Sequence, residues 1–506
     1  MLSPDQCRLL AERLRDLDYT VDAVLRVIGE SAHRALGRNQ TTPATRALLD
    51  RTDPLSSLIR LWLLQQPVPV DALDDALPEL RLPLVRAGIF AVEHDRVRAL
   101  VDVRPYAADD RTYYICADLT PGLDGLVAPT RPDLVLGVSA ASTSLAQLTP
   151  RSQVTSAMDL GTGCGVQSLH LAQHAHRIVA TDVNPRALEL AEVTLLLNGT
   201  EGVELRQGDL FAPVAEDAFD LITTNPPYVM SPPSSGPRLT YREGNLTGDG
   251  LVERIVRQGP GRLRSGGTLS VLGNWAHPSG RDWQERLAGW IPPGCDAHVV
   301  QRELLDPCEY AEIWLADAGL VGTPAYRRRY AEWMDYFQAL QIEAVGLGWI
   351  LVHRSETLDP SIRIEHWPYA IEQPIAPALV VEQAGMSLSR QLSDEALLAA
   401  RWKVSGDVVV ETVGQPGAAD PEHVVLRQQR GMRRGASVDT ALGGVVGACD
   451  GDLPLGVLID SVAGLLDVES VALRTDLIPR IRRLVLEGFL RASDEAPVER
   501  LVAQPG

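Results

Sequence analysis

Residues 223–230 read TTNPPYVM and follow an apolar run that begins at Phe219. A second stretch, residues 158–166, reads MDLGTGCGV and places three glycines directly after another apolar run. Glycines there let the backbone approach a ligand closely, and a helix that starts there offers unpaired N–H groups. We interpret the two stretches as parts of one active site, around which the rest of the chain is arranged.

Residues 151–275 alternate between strand-like and helix-like segments. This alternation predicts an α/β fold with a parallel sheet covered by helices on both faces. Ligands of such sheets bind at the carboxyl ends of the strands, where both quoted stretches lie. The predicted strands are SAMDLG, RIVATDV, VELRQGDL, FDLITTN and GTLSVLGNW, with two more at 295–304 and 344–354. The small-residue stretch 139–149 is predicted to be a helix that closes one side of the cofactor pocket.

Acidic residues end the first three predicted strands, at Asp159, Asp182 and Asp209. Asp182 can accept hydrogen bonds from both hydroxyls of a ribose. Asp209 can accept one from an adenine amine, and Leu210 and Phe211 can cover the adenine face. The residues predicted to bind the cofactor at these strand ends are Asp159, Gly161, Thr162, Gly163, Gly165, Asp182, Asp209 and Leu210.

The order and spacing of the glycine turn, Asp182, Asp209 and NPPY resemble class I S-adenosylmethionine-dependent methyltransferases of the NPPY type. Within that class, the chain resembles the release-factor glutamine N5-methyltransferases, both in DLGTGCG and in the segment from Tyr241-Arg242-Glu243 to Leu251. The resemblance implies a Rossmann-like sheet of seven strands with the last one antiparallel. It also implies S-adenosyl-L-methionine as cofactor, with Asp182 on its ribose, and places Asn225 and Pro226 on the nitrogen to be methylated.

The NPPY tetrapeptide suits methyl transfer to a planar nitrogen. An amide or an exocyclic ring amine is a poor nucleophile because its lone pair is delocalised. The side-chain oxygen of Asn225 and the backbone oxygen of Pro226 can accept both of its N–H bonds, and the two prolines keep these acceptors rigid. Tyr228 can stack on the planar group. The predicted catalytic residues are therefore Asn225, Pro226 and Tyr228, and Asn225 is also expected to contact the cofactor. A tight turn after a strand is the competing interpretation of the tetrapeptide.

No metal is expected in the site. His170 and His174 have the spacing of a helical metal-ligand pair. They lack a carboxylate partner nearby in the sequence, and we expect them, with His176, on a helix surface.

The flanking segments suggest a three-domain organisation. Residues 1–105 are predicted to form a helical and winged-helix-like domain, and residues 106–355 the core, with a helical insertion at about 305–341. Residues 356–506 are predicted to form an α+β domain with a β part at about 360–430 and a winged-helix-like end. The N-terminal winged unit is interpreted either as a reader of nucleic acid or as a docking module, and its few basic residues favour the second.

Composition indicates which partners and which cellular compartment to expect. The net charge of −19 disfavours nucleic acid as a partner without excluding a local basic patch. The sequence shows neither a long apolar run nor a secretory leader, so we expect no membrane span. Its six scattered cysteines suggest a reducing cytoplasm.

These patterns predict an N-methyltransferase that acts on a planar sp² nitrogen, with a glutamine-type amide of a protein or peptide as the preferred acceptor. The alternatives are methylation of an adenine or guanine amine in RNA or DNA, and tailoring of a natural product. A regulator that keeps an inactive methyltransferase core is a further hypothesis. The loop 229–250 is predicted to close over the substrate. The oligomeric state stays open.

Overall fold

The computed structural model describes residues 2–125, 131–233, 246–416 and 421–493. Residues 234–245, which include Tyr241, Arg242 and Glu243, lie outside these ranges, so the predicted closing loop 229–250 stays a prediction. The chain forms two compact units, one of Met1–Ala146 with Arg151–Trp367 and one of Gln147–Pro150 with Pro368–Gly506. The three-domain division stays a prediction. No helix of the described ranges is both long and apolar enough to cross a membrane.

The N-terminal region begins with four short helices, in agreement with its predicted helical character. Side-chain caps fix the starts of the first two: Ser3 and Gln6 form a capping box, and Thr20 accepts a hydrogen bond from the amide of Ala23. The helices are α1 Pro4–Asp16, α2 Val21–Ile28, α3 Glu30–Leu36 and α4 Thr42–Ala47.

The winged-helix-like segment contains three helices and a three-stranded sheet of order β1-β3-β2. Its elements are α5 Pro54–Leu58 (continued by a π-helical turn, Ile59–Leu63), β1 Val68–Pro69, α6 Val70–Ala76, α7 Arg81–Arg86, β2 Phe90–Glu93 and β3 Arg96–Ala99. The stretch after Ala99 does not extend this sheet and forms a separate hairpin, made of β4 Val101–Ala108 and β5 Arg111–Asp118. The winged-helix interpretation itself stays a prediction.

The core is a mixed sheet of eight strands in the order β13-β11-β12-β10-β9-β6-β7-β8. The strands β6 to β10 run parallel, and β12 is antiparallel to both of its neighbours. Helices and strands follow one another as α8 Ala140–Leu148, β6 Val154–Leu160, α9 Val166–Leu171, β7 Ala175–Asp182, α10 Pro185–Leu197, β8 Val203–Gln207, β9 Phe219–Thr224, α11 Gly250–Gln258, β10 Leu263–Pro278, α12 Trp283–Ala288, β11 Cys295–Leu305, α13 Pro307–Asp317, α14 Tyr326–Ala339, β12 Ile342–Arg354 and β13 Ile362–His366.

All seven predicted strands and the antiparallel last strand are confirmed, and β13 adds an eighth strand parallel to β11. Two helices, α13 and α14, lie between β11 and β12, where the helical insertion was predicted. The N-terminal helices and the hairpin β4–β5 share one buried cluster with apolar residues of α9 and α10, among them Leu169 and Leu190. One face of the core is therefore covered by the N-terminal region.

The second unit contains two three-stranded sheets, β18-β14-β19 and β15-β16-β17. Its elements are α15 Ala376–Gln391, α16 Asp394–Ala399, β14 Arg401–Val404, β15 Val408–Val413, β16 His423–Gln428, β17 Gly435–Val438, α17 Thr440–Gly447, β18 Asp450–Pro454, α18 Leu455–Leu466, α19 Ser470–Leu486 and β19 Leu490–Ala492. The segment predicted as a β part also contains the helix α15. Its buried residues Leu379, Glu382 and Met386 recur at helical spacing, a period that the sequence analysis missed.

Candidate active site

The glycine turn after β6 is held from behind by Asp159. Its carboxylate accepts hydrogen bonds from the hydroxyls of Thr162 and Ser168, both at 2.7 Å. Only 1% of Asp159 is exposed, and burial raises its pKa to about 6 against the opposing effect of these hydrogen bonds. Asp159 does not line the cavity described below. The structure therefore places it as a support of the turn.

Glycine is required in this turn. Gly161, Gly163 and Gly165 have φ angles of 75°, 55° and 83°, in the left-handed region. At Gly165, a Cβ atom would also lie 3.2 Å from the Cα and Cβ atoms of Ala191 in α10. Gly165 therefore permits the close packing of α9 on α10 and does not line the cavity, whereas Gly161 and Gly163 do.

Asp182, at the end of β7, is joined to the same turn. Its carboxylate accepts the amide hydrogens of Gly163 at 3.0 Å and of Asn184 at 2.9 Å. Burial raises its pKa, and the backbone hydrogen bonds oppose that shift. Two neighbouring strand ends thus bring a half-buried carboxylate beside a glycine turn, a pairing that suits the recognition of a ribose.

A cavity of about 310 Å³ opens at the carboxyl ends of β6, β7, β8 and β9. Nearly all the predicted site residues line it: Gly161, Thr162, Gly163, Asp182, Asp209, Leu210, Asn225 and Pro226. The exceptions are Asp159, Gly165 and Tyr228.

The end of the third predicted strand, at Asp209, is more exposed than the strand ends at Asp159 and Asp182. The Asp209 carboxylate lies 3.5 Å from the guanidinium of Arg254 on α11, and 61% of its side chain is exposed. Leu210 lines the cavity, whereas Phe211 is buried in the core and does not. Arg254 also lines the cavity and was missed by the sequence analysis.

Asn225 carries the most informative side chain of the site. It follows β9, whose end is tied to β6 by a 2.8 Å hydrogen bond from the hydroxyl of Thr224 to the carbonyl oxygen of Leu160. Among the described residues, no hydrogen-bond donor reaches its buried Oδ1 atom. Buried polar atoms are almost always paired. The Asn225 oxygen is therefore an acceptor suited to a donor from outside the chain.

Tyr228 lies beyond the cavity. Its ring meets that of Trp314 on α13 edge-on, with centroids 6.3 Å apart, and burial raises its pKa. Its predicted stacking on the acceptor stays a proposal.

One wall of the cavity was only partly predicted. Ser139 and Ser142 line it at the start of α8, so the expected helix at this side is confirmed. The preceding stretch had no role in the sequence analysis, although Leu134, Val135, Leu136 and Gly137 all line the cavity. This stretch has no periodic pattern that would indicate its position.

The three histidines do not share a helix surface as expected: His170 lies in α9, His174 in the turn after it and His176 in β7. His170 and His174 are buried, and the Nε2 atom of His170 lies 3.0 Å from the hydroxyl of Tyr106 in the hairpin β4–β5. Burial lowers the pKa of both rings. Only His176 is exposed. The N-terminal region covers this helix, which the sequence of the helix alone did not reveal.

Residues 137–282 match a family model described as "methyltransferase small domain". The core has the class I methyltransferase fold. Two further models match outside it, both described as domains of unknown function: DUF7059 at residues 16–100 and DUF7782 at residues 387–492. The methyltransferase core is thus flanked by two segments of separate families.

Among known proteins, the methyltransferase core is similar to enzymes with different acceptors. The ribosomal protein uL3 glutamine methyltransferase of Bradyrhizobium diazoefficiens is 37% identical over 128 residues, 23% of this chain and 40% of that protein. The release factor glutamine methyltransferase of Aliivibrio fischeri is 39% identical over 110 residues, 20% and 37% of the two chains. Ribosomal RNA small subunit methyltransferase C of Shigella flexneri is 31% identical over 157 residues, 30% and 41% of the two chains. The chain spans about two fifths of the length of these relatives.

The solved structures that are similar to the chain include a T. thermophilus 16S rRNA N2 methyltransferase in complex with AdoMet and guanosine. It has a TM-score of 0.27 and 19% identity, covering 46% of this chain and 54% of that one. A methyltransferase from Pyrococcus furiosus has a TM-score of 0.27 and 17% identity, with 46% and 90% covered.

Proposed function

We propose that this chain is an S-adenosylmethionine-dependent N-methyltransferase and that its acceptor is a glutamine-type amide of a protein or peptide. The unpaired Oδ1 atom of Asn225 in the cavity wall carries the proposal. The matching glutamine methyltransferases support it.

The residues of the cavity fit the cofactor. Gly161 and Gly163 leave a backbone surface without side chains, and the Asp182 carboxylate is held where it can accept ribose hydroxyls. Leu210 and Asp209 line the cavity and would cover the adenine face and accept a hydrogen bond from its amine. When bound, S-adenosylmethionine supplies an electrophilic methyl group on a sulfonium.

The chain itself would hold and orient the acceptor. The Oδ1 atom of Asn225 and the carbonyl oxygen of Pro226 would each accept one N–H of a primary amide. Two fixed acceptors orient the nitrogen lone pair and stabilise the positive charge that develops on the nitrogen. Held in this way, the nitrogen would gain the methyl group as its bond to the donor sulfur breaks, and it would release one proton to solvent.

Charge supports a protein acceptor over a nucleic acid. The net charge of −19 repels phosphates. In the N-terminal winged-helix-like segment, α6 contains three aspartates, and Arg81 of α7 is paired with one of them, Asp74, at 2.7 Å. We also place the protein in a reducing cytoplasm, since all six cysteines are unpaired.

A base N-methyltransferase is the second candidate, supported by the 31% identity to the ribosomal RNA enzyme. An exocyclic ring amine presents two N–H bonds like an amide, so the same two oxygens would serve it.

A labelling experiment separates the candidates. The protein is incubated with methyl-labelled S-adenosylmethionine and a bacterial lysate, and aliquots are digested with protease or with nuclease. We expect the macromolecular label to be lost only to protease. Loss to nuclease alone would establish the second candidate, and absence of label from both fractions would contradict both.

A further inference from the structure

The helical insertion lies outside the segment matched by the methyltransferase family model, yet it contacts the acceptor side of the site. The segment that matches the family model ends at residue 282, whereas α13 and α14 span residues 307–339. Both helices share one buried cluster with Val229 and Met230, which directly follow NPPY.

Tyr310 of α13 makes the central contact. Its side chain is fully buried, and its hydroxyl accepts the amide hydrogen of Met230 at 3.1 Å. The same hydroxyl is hydrogen-bonded to the side-chain amide of Asn274, which is fully buried within β10. The hydroxyl therefore joins the segment after NPPY to the neighbouring strand.

The ring of Tyr310 is fixed by other aromatic rings of the insertion. The centroids of Trp333 and Phe337 lie 5.9 and 5.8 Å away, and that of Trp314 lies 6.0 Å away. Trp314 in turn contacts the ring of Tyr228. Rings packed on several sides leave the hydroxyl little freedom.

A second tyrosine holds the chain where it returns to the core. The hydroxyl of Tyr336 on α14 accepts the amide hydrogen of Gly248 at 2.8 Å. Asp249 then accepts hydrogen bonds from the amide of Ala276 and from Arg286. Both Met230 and Gly248 are thus fastened to the same helical insertion.

We propose that Tyr310 is a positioning residue for methyl transfer, which fixes the Asn225 and Pro226 oxygens by holding the backbone at Met230. This inference rests on the proposed function. Rigid acceptors matter because a displacement of about 1 Å can lower a rate by about 100-fold. Without the hydroxyl, the buried Met230 amide lacks its acceptor, and the segment shifts to regain one. Among the described residues, the buried cluster that contains Tyr310 includes no residue of β6 or β7, so we expect these strand ends to keep their geometry.

The test compares Tyr310→Phe with Tyr330→Phe. Tyr330 lies on α14, and its hydroxyl bonds Glu312 at the exposed face of the same helix pair. Both variants are assayed for binding of S-adenosylmethionine by calorimetry and for label transfer to serially diluted lysate protein, which separates kcat from apparent KM. We expect Tyr310→Phe to lower kcat about 10- to 100-fold while the Kd for S-adenosylmethionine stays within about twofold. Tyr330→Phe should match the wild type in both.

Hydrogen exchange of the peptide 226–233 provides an independent readout. Tyr310→Phe should exchange faster there than the wild type, with no change in the α9 peptide. An unchanged kcat or unchanged exchange would overturn the proposal, and so would an equal loss in Tyr330→Phe. If the wild type transfers no label, the proposed function is contradicted, and the exchange data then decide the positioning claim alone.

Discussion

The guanidinium of Arg186 bonds both oxygens of the buried Asp118 carboxylate, and one of these oxygens also accepts the amide hydrogen of Val135 at 2.9 Å. Asp118 lies at the end of the hairpin β4–β5, Arg186 in the first turn of α10, and Val135 in the cavity wall. The side-chain amide of Asn184 also donates a hydrogen bond to the carbonyl oxygen of Asp133, in the same stretch as Val135. The N-terminal region therefore helps to build the cofactor cavity through α10.

Replacing Arg186 by Met should weaken the binding of S-adenosylmethionine. The change removes a charge-assisted pair and releases the wall 133–137, so we expect the Kd to rise about 10-fold. Arg177→Met is the matched control, because Arg177 pairs with Glu204 and Asp217 at the start of β7. Calorimetry on both variants measures the effect. Equal Kd values for the two variants would show that the Asp118–Arg186 pair does not shape the cavity.

Gly165→Ala should destabilise the protein by about 2 to 4 kcal/mol. The substitution combines the strain of a left-handed backbone with a Cβ pressed against Ala191 in α10. Gly199→Ala separates the two causes, because Gly199 has a φ of 60° with open space around its Cβ position. We expect that variant to lose only about 1 kcal/mol in urea denaturation. A similar loss in both variants would exclude a packing role for Gly165.

Asp159 should make stability depend on pH in a predictable direction. Burial raises its pKa from 3.8 to about 6, so the stabilisation that it contributes is complete below pH 3.8 and is lost as pH rises through about 6. The loss is about 3 kcal/mol. Relative to the wild type, Asp159→Asn should therefore gain stability as pH rises from 4 to 7.

Urea denaturation across that range tests the prediction. The buried Asp102, whose pKa is also raised to about 6, contributes the same slope to both proteins and cancels in the difference. A difference in stability that stays constant with pH would contradict a raised pKa at Asp159.

Four strands of the methyltransferase core could be predicted because each joins an apolar run to a marked end, and three more could be predicted from their longer apolar runs. Asp159, Asp182 and Asp209 mark three of these ends, and Asn225 marks a fourth. Strand β13 carries no such mark: its sequence IRIEH alternates, its residues are exposed or half-buried, and it pairs only with β11. Its place at the sheet edge follows from tertiary contacts that the local sequence does not contain.

Tertiary contacts also limited how much of the candidate active site could be predicted. Glycines that line the cavity with their backbone, such as Gly161 and Gly163, have a spacing that is visible in the sequence. The contact of Tyr310 with Met230 joins residues 80 positions apart. The cavity wall at residues 134–137 has no regular secondary structure, and its position depends on Asp118 of the hairpin β4–β5. The residues at the strand ends could therefore be predicted from the sequence, whereas the residues that hold them in place could not.

The most direct test of the account compares wild type with Asn225→Ala, and Gln338→Ala, an exposed amide on α14, is the matched control. Binding of S-adenosylmethionine is measured by calorimetry, and transfer of labelled methyl groups to lysate protein is measured in parallel. We predict that all three proteins bind the cofactor with Kd values within about threefold of one another, because Asn225 is one residue among many in the cavity wall. Only Asn225→Ala should lose transfer, by about 100-fold or more, through the loss of one acceptor at the reacting nitrogen. Full transfer by Asn225→Ala with normal cofactor binding would contradict the role that we assign to NPPY.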